Sequence, residues 1–467
     1  MVEFLSYFIF AAASGYYLIT NLQWYSYKLK RVIFHHTKPM WNFVYFIVPF
    51  IIYIVVSKMS QLGIAVSIIY VGILYFWFRG LDKPLVWTGR IKRFFAMLVI
   101  FALLLWFAAK CTFVLAPFIL AFIASLLVEK ALFLGYKAKA KERIENAKDM
   151  IMVGITASYG KTSIKNFLNH ILEGSFRTYA TPRSVNTLGG IMKDINDDLP
   201  DNTQVYIVEM GARVKGDIAE IATFINPQFV VVGKIGPAHI EYFKTLDNII
   251  ATKLEILKSS NLKEAWLHES TKQKSDKKIH IFGKNITNVT ATLDGTSFEL
   301  DGEKYEVPIL GEFHAINLAG AINVAIALGV DKETIKNRLK TLGATPHRLQ
   351  RIDAGGKLIL DDSFNGNIDG MLGSFDLAST HKGRKVVITP GLVEVDDELN
   401  VQIAKRANEV FDLVIVSGSL NWDIFKKYVD EHKLLKMEQK SQMQDMLIEH
   451  TRAGDLILFA NDAPSFV

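Results

Sequence analysis

Before residue 130 the chain carries five uncharged, strongly apolar stretches: Leu5–Thr20, Trp41–Ser57, Leu62–Phe78, Phe94–Ala109 and Thr112–Val128. Each is about long enough to cross a bilayer as a helix, and unsatisfied backbone groups forbid other open structures in lipid. No basic segment precedes the first stretch and four more follow it, so it does not read as a cleaved leader. The pattern predicts an all-α membrane region over residues 1–130 with five crossings.

Charge supports the same expectation. Lys28, Lys30, Arg31 and Lys38 fall in the first loop, and Arg79, Lys83, Arg90, Lys92 and Arg93 in the third; the second and fourth hold only Lys58 and Lys110. With basic loops inside, the N-terminus lies outside and everything after Lys130 is cytoplasmic, as expected for a multi-pass protein of the bacterial inner membrane contacting membrane lipid. Residues 1–150 hold 17 Lys and Arg against 6 Asp and Glu, so the rest of the chain is net acidic although the whole carries +6. The soluble part thus has no basic stripe, and no nucleic-acid partner is expected. The single cysteine, Cys111, excludes a disulfide framework and a cysteine-based zinc site.

Residues 131–148 are charged and helix-prone, a connector. From Asp149 onward, short Val- and Ile-rich runs alternate with helix-length segments: Asp149–Ile155, Gln204–Glu209, Gln228–Val232, Lys357–Leu360, Lys385–Thr389, Leu413–Val416 and Asp455–Phe459. That alternation predicts parallel sheets covered by helices. A break at Gly343–Pro346 separates a domain over 149–342 from a smaller one over 343–467. Asn285–Val307, with its Asp294-Gly295 and Asp301-Gly302 turns, predicts a small antiparallel insertion.

The segment Met150-Ile-Met-Val-Gly-Ile-Thr-Ala-Ser-Tyr-Gly-Lys-Thr-Ser163 reads as a buried strand, a turn of small residues and a helix start. Backbone N–H groups in such a turn cradle phosphate oxygens, Lys161 reaches the β/γ-phosphates and Thr162 holds Mg²⁺. The strict phosphate-loop pattern fails by one residue, because Ile155 stands where its first glycine belongs.

At this loop the chain resembles the Mur ligase family, with Ala157 replacing a family glycine. The resemblance continues in order through Thr181-Pro-Arg-Ser-Val-Asn-Thr-Leu-Gly-Gly-Ile191, Val208-Glu-Met-Gly211, Ile235-Gly-Pro-Ala-His-Ile-Glu-Tyr-Phe243, Ala251-Thr-Lys-Leu-Glu-Ile256 and Gly311-Glu-Phe-His-Ala-Ile-Asn317. Arg348-Leu, Leu360-Asp-Asp-Ser-Phe-Asn-Gly-Asn367, Thr389-Pro-Gly-Leu-Val-Glu394 and Phe459-Ala-Asn-Asp-Ala-Pro464 are similar to the branch that adds D-alanyl-D-alanine to a muramoyl tripeptide. It implies a phosphate-loop central domain followed by a Rossmann-like C-terminal domain. The separate domain that in this branch grips the uridine diphosphate end of the substrate has apolar stretches in its place.

The resemblance also implies the chemistry: ATP converts a carboxylate into an acyl phosphate, an amine displaces phosphate, and Mg²⁺ neutralises the assembled anions. Ser158, Gly160, Lys161, Thr162, Ser163, Asn317, Arg348 and Asp362 would hold the nucleotide. Thr162, Glu209, His239 and a carbamylated Lys253 would hold metal, with Lys161, His239 and Lys253 carrying the catalytic load. Thr181, Ser184, Asn186 and Asn365 would contact the muramoyl-peptide or D-alanyl-D-alanine substrate. Other enzymes of cell-wall synthesis are expected neighbours. Phe364 in place of a family tyrosine, and Gly366-Asn-Ile-Asp-Gly370, leave the substrate open: a Mur-like ligase of the poly-γ-glutamate synthase type remains an alternative, as does a nucleotide-binding scaffold that makes no bond.

Overall fold

The computed structural model describes the chain except residues 1, 26, 28, 35–37, 39, 58–59, 82–83, 109–114, 238–242, 365, 394, 396 and 462–467, and the side chains of 31, 34, 60 and 61. Lys28, Lys58, Lys83, Lys110, Cys111 and Glu394 thus lie outside the described residues, as do His239 and Asn365. The chain divides into two compact units, Met1–Lys137 and Ala138–Val467.

The first unit is helical, with an aromatic core in which Phe10 stacks on Tyr53 at 4.1 Å and on Tyr70 at 4.8 Å. Polar groups pair inside it: the hydroxyls of Ser6 and Ser67 lie 3.1 Å apart, and Ser6 also meets the Tyr53 hydroxyl at 3.2 Å. The expectation of five crossings is corrected here. Among the described residues three helices, Val2–Trp24, Leu62–Arg79 and Leu115–Asn146, are long and apolar enough to cross a membrane, by length and composition only. The segment Met40–Val56 is shorter, with a π turn over Phe43–Ile47 and Pro49 behind it. The helix Gly89–Phe107 opens on Arg90, Lys92 and Arg93, which breaks its apolar run.

In the second unit a six-stranded parallel sheet forms from β1 (Ile151–Thr156), β2 (Thr178–Ala180), β3 (Val205–Glu209), β4 (Phe229–Val232), β5 (Glu264–His268) and β6 (Ile279–Phe282), in the order β2-β3-β1-β4-β5-β6. Strands β1, β3 and β4 are almost wholly buried, which is why they read as continuous apolar runs. β1 is followed by the helix Lys161–Leu172, whose Ile164, Phe167, Leu168 and Ile171 pack in one core with Ala315, Leu318, Ala319 and Ile322 of the helix Phe313–Ala327. The small alanines let the two backbones approach.

The antiparallel insertion is present as β7 (Ile286–Thr292), β8 (Gly295–Leu300) and β9 (Glu303–Val307). A second six-stranded sheet follows, built from β10 (Gln350–Ala354), β11 (Lys357–Asp362), β12 (Lys385–Thr389), β13 (Leu413–Ser417), β14 (Leu434–Met437) and β15 (Leu456–Ala460), in the order β10-β11-β15-β12-β13-β14. All neighbours in it are parallel except the β10–β11 hairpin. Parallel sheets bind ligands beyond the carboxyl ends of their strands, and register decides which side chains stand there. Ile155 of β1 pairs with Glu209 of β3, so that carboxylate emerges beside the start of the loop; Asp362 ends β11 opposite Ala460.

Candidate active site

Gly160 caps the helix Lys161–Leu172 in a left-handed conformation, φ +79. A Cβ there would come within 2.1 Å of Asn317 Oδ1, so glycine is required both by backbone and by contact. The turn before it is tied to the loop after β4: Ser158 N–H donates to the Lys234 carbonyl at 3.0 Å and its hydroxyl to the Gly236 carbonyl at 2.9 Å. Lys161 folds back over the turn, its ammonium donating to the carbonyls of Ala157 at 3.0 Å and Ser158 at 3.2 Å. Burial pushes its pKa below the ordinary lysine range, Glu209 opposes that shift, and Arg348 adds to it.

Glu209, 1% exposed, is the centre of the polar arrangement. One oxygen accepts from the Thr162 hydroxyl at 2.9 Å, the other from the Asn186 amide at 3.0 Å, and its backbone N–H donates to Thr181 Oγ1 at 3.1 Å. Lys165 lies 3.5 Å from the same carboxylate. Its ammonium also donates to the carbonyl of Thr181 at 2.6 Å and to that of Arg183. A buried carboxylate so surrounded is held in one orientation, at modest desolvation cost because both oxygens are satisfied.

A cleft of about 420 Å³ collects Ser158, Gly160, Lys161, Thr162, Ser163, Ser184, Asn186, Glu209 and Asn317 from the first sheet and its helices. Arg348 and Asp362 line it from the side of the second sheet, together with Phe364, Asn367 and Asp369. Lys234 and Asp369 join across it at 2.6 Å. Thr181 and Lys253 do not line the cleft. Thr181 is buried behind Glu209, and Lys253, 4% exposed on the helix Leu246–Leu254, lies within electrostatic reach of Lys161, Asp217 and Glu209. Burial first, and repulsion from Lys161 second, push the Lys253 amine down to about 7. Among the described residues no three His, Cys, Asp or Glu side chains gather as a metal cage.

Several side chains in or behind this cleft escape sequence reasoning. Lys165 sits one turn after Lys161 on an otherwise apolar helix face, and that misplaced charge is the one signal that could have marked it. His314 is buried against Phe313 and Phe167, ring centroids 4.4 and 5.4 Å away, and burial pushes its imidazole down to about 3. Lys234 carries no local pattern, and Asp369 lies in the run Gly366-Asn-Ile-Asp-Gly370 without being marked there as a site residue.

Comparison with known proteins shows what this chain is similar to. The Mur ligase middle domain matches residues 155–325. The UDP-N-acetylmuramoyl-tripeptide–D-alanyl-D-alanine ligase of Bacillus subtilis (strain 168) is 26% identical over 333 residues, 66% of this chain and 72% of that protein. The ligase of the same name from Escherichia coli (strain K12) is 27% identical over 281 residues, 55% of this chain and 62% of that protein. Among solved structures, a MurF ligase from Thermotoga maritima in complex with ADP aligns with a TM-score of 0.61 at 25% identity, covering 71% of this chain and 80% of that one. MurF from Acinetobacter baumannii aligns with a TM-score of 0.62 at 22% identity, covering 71% and 77%. The chain thus spans between half and three quarters of the length of the curated relatives it matches.

The comparison overturns the expected location in the bacterial inner membrane. The proteins this chain resembles are named as ligases, and its long apolar helices, half or more of each unburied, show no membrane protein. The matched middle domain, the order of motifs on both sheets and the shared α/β fold lead to one conclusion: residues 155–325 match a Mur ligase middle domain, in a chain similar to the Mur ligases.

Proposed function

We propose that the chain is an ATP-dependent amide-bond ligase that adds D-alanyl-D-alanine to a muramoyl tripeptide during peptidoglycan precursor synthesis. The observation that carries this reading is the cleft in which Lys161, Thr162 and Glu209 face Arg348 and Asp362. Residues 149–342 act as the ATP-binding domain, residues 343–467 as a Rossmann-like C-terminal domain, and residues 131–148 as the connector before them. The names of the relatives supply the substrate class.

ATP supplies the phosphoryl group that activates the acceptor: a carboxylate oxygen attacks the γ-phosphorus and ADP leaves. The amine then attacks the acyl carbon, phosphate leaves, and the amine loses a proton. Two anions must meet for the first step, and the residues present suit that task. Lys161 and Arg348 bring positive charge from the two sides of the cleft, and the N–H groups after Gly160 cradle phosphate. The hydroxyl of Thr162 and the carboxylate of Glu209 are a donor set that fits Mg²⁺, which keeps several waters and takes one or two protein oxygens beside phosphate. Asn317, 6% exposed against Gly160, is placed to meet the base or sugar of a nucleotide lying along the loop. Ser184 and Asn186 stand on the acceptor side, and Phe364 is exposed at the mouth near the amine's approach. The Lys234–Asp369 pair bridges the cleft, which favours exclusion of water from the acyl phosphate.

Incubation of the full chain with ATP, Mg²⁺, the muramoyl tripeptide nucleotide and D-alanyl-D-alanine should yield ADP, phosphate and pentapeptide product in equal amounts. Turnover only with a different acceptor or amine would keep the ligase and replace the substrate. Nucleotide binding with no ligation for any pair would leave a scaffold.

A further inference from the structure

The chain passes from the first sheet to the second through Thr345-Pro-His-Arg-Leu349, and two residues there occupy the left-handed region, His347 at φ +61 and Leu349 at φ +53. A residue with a Cβ is disfavoured in that region, so two of them on either side of Arg348 must be held by what they touch. Leu349 is fully buried in the core of the second sheet. His347 is held through its ring, with Nδ1 at 2.8 Å from Asp361 Oδ2. Asp361 is itself fixed, its other oxygen accepting from the Ser363 N–H at 3.1 Å and hydroxyl at 2.6 Å. The His347 carbonyl accepts from the Phe364 N–H at 3.2 Å, and the imidazole meets the Phe364 ring edge-on at 4.9 Å. Between these anchors Arg348 reaches the cleft, its guanidinium donating to the Phe364 carbonyl.

We propose that His347, through Asp361, is the positioning residue for Arg348, fixing the left-handed step that turns the guanidinium toward the nucleotide. This rests on the reading of Arg348 as a nucleotide-binding residue. An arginine stem has several rotatable bonds, and a guanidinium that must meet phosphate in one geometry gains affinity when its backbone is fixed beforehand. The ring of His347 fixes it without itself lining the cleft.

The test uses the full chain and Mg²⁺-ADP as the probe, with three variants. His347→Gly permits φ +61 freely and removes only the ring, whereas His347→Asn tolerates the left-handed region and keeps a donor toward Asp361. Arg348→Ala measures what the guanidinium itself contributes. The expected result is an ADP dissociation constant raised about tenfold in His347→Gly. The KM for ATP should rise with it while that for the amine stays unchanged, and His347→Asn should recover most of the loss. If Arg348→Ala binds ADP like wild type, the reading of Arg348 falls and the inference with it. If Arg348→Ala is weakened while His347→Gly binds like wild type, or His347→Asn is no better than His347→Gly, the role of His347 is overturned and the reading of Arg348 stands.

Discussion

The hydroxyl of Thr162 donates to the carboxylate of Glu209 at 2.9 Å, joining the residue after the phosphate-loop lysine to the end of the neighbouring strand. If these two oxygens share a metal when nucleotide binds, Glu209→Gln should keep the hydrogen bond and weaken the metal. Turnover should fall about a hundredfold, and half-saturation should need more Mg²⁺. An unchanged Mg²⁺ requirement in a titration of ATP turnover would remove Glu209 from the metal site.

Lys161 supports no core, and among the described residues its ammonium donates to two loop carbonyls. Lys161→Ala should therefore leave the melting temperature close to wild type while ligation and ATP turnover drop by about a hundredfold or more. Activity within about tenfold of wild type, equal to about 1.4 kcal/mol of transition-state stabilisation, would sink the phosphate-loop assignment.

Gly160→Ala separates a steric from a conformational cost. The new Cβ meets Asn317 Oδ1 at 2.1 Å, and φ +79 is unfavourable to alanine in any case. Together these should cost about 1–3 kcal/mol. Adding Asn317→Ala removes the clash and leaves the backbone term, so the double variant should be more stable than the sum of the singles. Strict additivity in denaturant midpoints would show that the loop relaxes away from the helix Phe313–Ala327.

What the sequence announces and what it hides follow from burial. β1, β3 and β4 are central, covered on both faces and rich in Val and Ile, so a bare apolar run marks them. β2 is a three-residue edge strand, and β10, Gln-Arg-Ile-Asp-Ala, is a half-exposed edge in a hairpin; neither has an apolar run to read. The same logic divides the site. Lys161 and Thr162 are legible because the proposed phosphate binding would need them adjacent in sequence. Lys165, Lys234 and Asp369 act through partners brought near by the fold, and a lysine on a helix reads by default as a solvated one. The apolar N-terminal stretches were legible as helices, but length and composition say nothing of what surrounds them.

His314 gives a pH dependence with a definite sign. Its imidazole is held neutral, with a folded pKa near 3 against 6.5 for the free side chain. Above pH 6.5 neither state binds the proton and stability is unaffected. As pH falls from about 6.5 toward about 3 the unfolded chain binds a proton the folded one refuses, so stability is lost. At pH 5 the loss is about 2 kcal/mol. The stability difference between wild type and His314→Gln should shift by about that amount in favour of the variant between pH 7.5 and pH 5. A difference that does not change with pH would mean His314 is protonated in the folded state.

Lys253 supplies the last test. An amine pushed down to about 7 by burial and by Lys161 is substantially neutral at physiological pH. Only the neutral amine attacks carbon dioxide: the nitrogen–carbon bond forms, a proton leaves, and a cation becomes a carboxylate-like ligand. If that modified side chain holds metal beside the cleft, Lys253→Ala should be nearly inactive yet folded, and a short carboxylic acid in the medium should restore part of the activity. Lys253→Arg, which keeps a cation but cannot be carbamylated, should be as inactive as the alanine variant and resist rescue. Mass measurement on active, Mg²⁺- and ATP-bound protein should find the added carbon dioxide on Lys253. An unmodified lysine in that active sample would contradict the assignment and leave Lys253 as a buried amine opposed by Asp217 and Glu209.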